Sequence, residues 1–95
     1  MTFEWDEHKA VRNLARHGIR FSEAVTVFAD PRAFEFVDEE HSTENEVRYG
    51  IIGFAVPGML FVAFTEPAPD RIRIIHARRA EPWMVRKYEQ QEKKI

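Results

Sequence analysis

The sequence predicts an α+β fold in which two helices precede four strands and a last helix closes the chain. Three observations predict it. Helical spacing of apolar residues occurs near the start and at the end of the chain. Between them lie runs rich in β-branched and aromatic residues. Short turn signals separate those runs, so neighbouring strands pair mainly antiparallel. Ninety-five residues leave room for one core, so residues 1–95 are expected to form a single domain.

Asp6 is placed to cap a helix over residues 7–17, in which Ala10, Val11, Leu14 and Ala15 recur at helical spacing. Gly18 follows as the left-handed end residue, behind Arg16 and His17. Ser22 is the expected cap of a second, short helix carrying Ala24, Val25, Val27 and Phe28. Asp30-Pro31 stops it, because proline removes an amide and disfavours helix before it. Phe34, Phe36 and Val37 form a short strand, and the acidic stretch Asp38 to Glu46 is a loop. Val47 to Val56 and Met59 to Thr65 are strands joined by the turn Pro57-Gly58. Glu66 to Asp70 is the next turn, and Arg71 to Arg79 is the last strand. Pro82 suits the first turn of a final helix with Met84, Val85 and Tyr88 on one side and the charged tail Glu92-Lys93-Lys94 at its end. Helices are expected to cover one sheet face and leave the other open.

Hydrophobic residues make up 44% and charged residues 32%, a folded rather than a disordered balance. The absence of cysteine excludes disulfides, thiolate metal sites and a cysteine nucleophile. The acidic, aromatic start is no signal peptide and no apolar run is long enough to span a membrane, so a cytoplasmic protein is expected. A net charge of -2 hides two opposed ends. Residues 71–95 carry eight Lys or Arg against three Glu, and residues 30–48 carry seven acids against two Arg. The basic end suits an anionic partner, although two such faces can also pair with each other.

Three collinear segments resemble the BrnT family of toxins. The first runs from Phe3-Glu4-Trp5-Asp6-Glu7-His8-Lys9-Ala10 through Asn13-Leu14, His17-Gly18-Ile19 and Phe21-Ser22-Glu23-Ala24 to Val27-Phe28-Ala29-Asp30-Pro31. The second is His41-Ser42, Glu44, Glu46 and Arg48, leading into Ile52-Gly53. The third is Ile72-Arg73-Ile74-Ile75-His76-Ala77-Arg78-Arg79-Ala80, with Tyr88 behind it. The resemblance implies a RelE-like fold and a metal-independent endoribonuclease that blocks translation and growth. It also implies a BrnA-type antitoxin that neutralises the toxin and brings it to operator DNA. Alone the toxin would be monomeric, and with its antitoxin part of a hetero-oligomer. Two features depart from the family pattern: His76 stands where a small hydroxyl residue is usual, and the last helix is usually richer in Arg and Glu than Glu81 to Lys87.

Cleaving RNA without a metal needs activation of a ribose 2′-hydroxyl, stabilisation of charge at phosphate, and a proton for the leaving oxygen. Arginine suits the second task, because its fork binds two phosphate oxygens and keeps its charge. Arg79, Arg78 and Arg48 are the candidates for it, and His41 for proton transfer. Strand alternation puts Arg73 and Arg79 on the open face, Arg78 at its edge, and His76 with Ile72 and Ile74 toward the core. The same arginines could instead pair with the acidic loop or with an antitoxin. Lys9, Arg12, Arg73, Tyr88 and Trp83 are candidate RNA contacts, with surface pairing, core packing and antitoxin anchoring as their alternatives. No cofactor is expected, and no His pair has the spacing of a zinc site. A toxin fold that only binds its antitoxin or nucleic acid, with weak or no catalysis, is the alternative function.

Overall fold

Asp6 caps the first helix through its carboxylate. In the computed structural model, which describes residues 1–92, that carboxylate accepts from the Lys9 amide at 3.0 Å and α1 runs Glu7–His17. Gly18 ends α1 with φ 71°, a conformation that costs other residues about 1 kcal/mol or more. The cap of α2 (Phe21–Ala24) differs from expectation. The helix starts one residue before Ser22, and the Glu23 carboxylate accepts from the Arg20 amide at 2.8 Å. A 3-10 helix, Val25–Ala29, then runs into Asp30.

The sheet has five strands rather than the four expected. They are β1 (Thr2–Glu4), β2 (Phe34–Val37), β3 (Arg48–Ala55), β4 (Gly58–Ala68) and β5 (Arg71–Arg79), in the order β1-β5-β4-β3-β2. The extra strand, β1, lies parallel to β5 with Phe3 opposite Ile72; the other pairings are antiparallel. Three residues are too few to display a period of two. β4 also runs into the expected turn as far as Ala68, with an irregularity between Thr65 and Ala68. Helix α3 (Pro82–Glu92) follows as expected, while Lys93 and Lys94 of the expected tail lie outside the described residues. Among the described residues no helix is long and apolar enough to cross a membrane.

Alternation along β3 and β4 builds a core on each face. Leu60, Val62 and Phe64 join Ile51, Ile72 and Ile74 under α1, α2 and the 3-10 helix. Phe61 and Ala63 point the other way and join Ile52, Met84 and Tyr88 under α3. Each such large side chain contributes about 1.5–3 kcal/mol on burial. The second face is thus partly covered by α3 rather than open. Gly50 is required there, because a Cβ would lie 2.5 Å from Phe36 and 2.7 Å from Phe61, whose rings stack over it.

A β-bulge in β5 decides where the basic residues go. Ala63 pairs with His76 and Phe64 with Ile74, so Ile75 is an extra residue and alternation reverses there. Ala77 therefore joins Ile72 and Ile74 in the core beneath the helices. His76 and Arg78, opposite Ala63 and Phe61, face the α3 side. Arg79, opposite Leu60, faces the other. The expectation that Arg79 lies on the open face and His76 on the same face as Ile72 and Ile74 is overturned by that one residue.

Candidate active site

The acidic segment between β2 and β3 is a pinned loop. The Asp38 amide donates to the Arg48 carbonyl at 2.7 Å, closing its base. Within it, the Ser42 hydroxyl accepts from the Arg48 amide at 2.8 Å and donates to the Asp38 carbonyl at 2.7 Å. This fold-back sets His41 against Asp38, with His41 Nδ1 2.8 Å from Asp38 Oδ2. A ring held at Nδ1 by a carboxylate carries its proton there and leaves Nε2 as the basic nitrogen.

His41 opens onto a cleft of about 430 Å³. Phe61 and Ala63 of β4 form the floor, with His76 and Arg78 of β5, Arg48 of β3 and Trp83 of α3 around it. Arg78 lies over the Phe61 ring, its guanidinium carbon 4.9 Å from the centroid. Glu81 Oε1 is 3.7 Å from Arg78, and Glu81 Oε2 accepts from the exposed Trp83 indole at 2.7 Å. Arg48 is held only at 3.9 Å by Glu46, and its Nε is buried with no partner. His76 Nε2 is likewise buried and unpartnered. Burial first, and then the charges of His17, Arg78, Arg48 and Arg16, push the His76 pKa down to about 4. It is neutral at neutral pH. The unpartnered Nε–H of Arg48 and a second guanidinium, that of Arg78, in one cleft suit an anionic ligand.

Residues 5–82 match the family described as the ribonuclease toxin, BrnT, of type II toxin-antitoxin systems. The chain belongs to the BrnT family. It is similar in fold to the crystal structure of the Brucella abortus ribonuclease toxin BrnT, with 24% identity and a TM-score of 0.64 over 85% of this chain and 97% of that one. Among curated proteins none matches the chain by sequence. A BrnT toxin is a ribonuclease with an antitoxin partner, and the matched residues include every basic group of the cleft.

The structure brings together His41, Arg48, Arg78 and Trp83 of the expected site residues. It takes three others away. Arg79 donates to the Pro57 carbonyl at 3.0 Å and so ties down the β3–β4 hairpin. Arg73 donates to Glu4 of β1 at 2.7 Å and is neutralised there. Tyr88 is buried, and its hydroxyl donates to Asp30 Oδ2 at 2.8 Å, so it is no stacking platform for a base. Lys9 and Arg12 lie in a separate cleft on α1. Sequence reasoning passed over Asp38 and Glu81. Asp38 had a visible signal, a carboxylate three residues ahead of a loop histidine. Glu81 had none, since its role depends on how α3 turns back. Among the described residues no three His, Asp or Glu side chains group so as to hold a metal ion.

Proposed function

We propose that the cleft of His41, Arg48 and Arg78 cleaves single-stranded RNA without a metal ion and thereby stops translation and growth. The observation that carries this reading is the meeting of a carboxylate-held imidazole and two guanidinium groups in one cleft. His41 Nε2 takes the proton of a ribose 2′-hydroxyl, and Asp38 steadies the imidazolium that results. The 2′-oxygen bonds to the adjacent phosphorus as the bond from phosphorus to the 5′-oxygen breaks. The products are a 2′,3′-cyclic phosphate and a 5′-hydroxyl. Arg48 and Arg78 bind the phosphoryl oxygens, where the negative charge grows; one such donor supplies about 3 kcal/mol. The 5′-oxygen takes its proton from solvent at the mouth of the cleft, because His76 is uncharged at neutral pH. Trp83, exposed at the rim, supplies a face on which a neighbouring base stacks.

The same reading places the fold in the wider RelE-like group and makes the partner a BrnA-type antitoxin, through which operator DNA is reached. Val11 and Leu14 support such a partner. Both are exposed on α1, at 67% and 37%, beside Trp5.

Labelled single-stranded RNA incubated with the protein in excess chelator tests the chemistry. Fragments ending in 2′,3′-cyclic phosphate are expected. Arg78→Ala and His41→Ala should each slow cleavage about a hundredfold, while Arg79→Ala keeps it. Fragments ending in 3′-hydroxyl, or cleavage abolished by the chelator, defeat the mechanism. A wild-type protein inert on RNA makes the chain a toxin fold that acts by binding alone.

A further inference from the structure

On the far side of His76 from the cleavage cleft lies a second cleft, of about 470 Å³, between α1 and β5. Lys9, Arg12 and Arg16 line it from α1, together with His17. These three cations stand at helical spacing on one face, and Arg12 and Arg16, four residues apart, repel each other. Among the described residues no carboxylate lies within ion-pair distance of any of them. Arg48, Arg71, Arg73 and Arg78, by contrast, all have a glutamate partner. The face is also held rigidly. Asn13, buried beneath it, bonds both the amide and the carbonyl of Ala77, which fixes α1 along the upper part of β5. His76 belongs to both clefts, with its ring 6.3 Å from that of His17 on one side and 5.6 Å from that of Phe61 on the other. Burial is the main cause of its low pKa, and cations on both sides add to it, Arg16 and His17 from one cleft and Arg48 and Arg78 from the other.

We propose that the α1 cleft is a phosphate track, in which Lys9, Arg12 and Arg16 hold the backbone of the RNA strand that continues past His76 from the cleavage cleft. The inference rests on the reading of that cleft as the cleavage site. From Lys9 to Arg16 the helix advances about 10 Å, so the row spans more than one nucleotide. Cations in a row along a cleft whose lining holds no carboxylate grip a backbone and read no base. The track is therefore indifferent to sequence and to the sugar. An acidic segment of a protein partner would also meet these charges. Continuity with the cleavage cleft through His76 favours the nucleic acid.

The test is binding of the full chain to oligonucleotides it cannot cleave: a 2′-O-methyl RNA and a DNA of about twelve residues, and a trinucleotide, across a range of salt. For single strands each phosphate contact contributes about 0.7 to the slope of log affinity against log salt. At 0.1 M salt that is about fivefold per contact, so Lys9→Ala/Arg12→Ala/Arg16→Ala should weaken twelve-residue binding about a hundredfold and flatten the slope by about 2. The loss should be equal for RNA and DNA and small for the trinucleotide. A control with Arg20, Arg71 and Lys87 replaced by Ala carries the same change in net charge and should keep most of the affinity. On cleavable RNA, the triple α1 variant should raise KM for long strands and leave a dinucleotide's turnover unchanged. An unchanged slope, an equal loss in the control, or weakened binding of an acidic peptide or antitoxin with RNA binding intact each overturns the track. Because binding is read without cleavage, a wild-type protein that cleaves nothing defeats the nuclease reading while these slopes still decide the track.

Discussion

Replacing Asn13 should unfasten α1 from the sheet, and the size of the effect follows from three hydrogen bonds. The Asn13 amide nitrogen donates to the Ala77 carbonyl at 2.8 Å and to the Ile19 carbonyl at 3.0 Å, and its oxygen accepts from the Ala77 amide at 3.0 Å. Beyond β1, which pairs only with Arg71 to Arg73, β5 has no neighbouring strand on that side among the described residues. The Asn13 side chain thus serves Ala77 as a strand would. Ala77 and Ile19 are fully buried, so Asn13→Ala strands one donor and two acceptors away from water. Each buried group left unpaired costs about 1–3 kcal/mol. Allowing for water entering the vacated space, the expected loss is about 3 kcal/mol, or about 12–24 °C in Tm for a domain of this size. Asn13→Asp should be worse, because it replaces the donating nitrogen by a carboxylate oxygen facing two carbonyls. Urea unfolding followed by far-UV circular dichroism measures this, with the slope expected to stay constant. A loss below about 1 kcal/mol for Asn13→Ala would refute the claim that this side chain replaces a missing strand.

Two further outcomes follow from titratable groups whose folded pKa is lowered. Burial raises the Asp30 carboxyl, but the amides of Phe54 and Arg32, the Tyr88 hydroxyl and the Arg32 charge outweigh it and hold its pKa below the ordinary value. The ionised group therefore stabilises the fold above its unfolded pKa, and that contribution is lost as pH falls through the lower folded value. Tyr88→Phe should cost about 1 kcal/mol at neutral pH and lessen the acid sensitivity, read by unfolding at pH 7 and pH 3. His76 has the same sign, at higher pH. Its folded pKa of about 4 lies below the ordinary 6.5, so between those values the unfolded chain binds the extra proton and stability falls as pH drops. The whole window is worth at most about 3 kcal/mol. His76→Ser should flatten the stability profile between pH 6.5 and 4, and an unchanged profile would place the acid sensitivity elsewhere.

Much of the fold was legible because local chemistry and tertiary packing agree. Asp6 and Gly18 bound α1 where their side chain and backbone freedom require, and Pro57-Gly58 marks the β3–β4 hairpin. What could not be read was set by contacts distant in sequence. Thr2–Glu4 is a strand only because β5 offers it an edge. The apolar stripe of α1 indicates a core face, yet Val11 is 67% exposed and Asn13 is the buried residue, because the edge of β5 needs a hydrogen-bonding group there. Of the site, His41 and Arg48 were legible from the loop and its flanking strand. Arg78 was read at the edge of the open face and Arg79 on it, and the strand's own irregularity decides between them.

That irregularity reconciles two demands on one strand. Ile72, Ile74 and Ala77 belong in the core, while Arg78 needs water or an anion. Strict alternation from Ile72 and Ile74 would turn Arg78 and His76 into the core and Ala77 out of it. Burying an unpaired guanidinium costs several kcal/mol, far more than disrupting one position of the ladder. With Ile75 as the extra residue, Ala77 returns to the core and is held there by Asn13, and Arg78 reaches the cleft over Phe61. The bulge at Ile75 that aims Arg78 and the Asn13 contact at Ala77 that docks α1 thus lie two residues apart on β5. His76, between them, is consequently the one residue of the strand that borders both the cleft of His41, Arg48 and Arg78 and the basic face of α1.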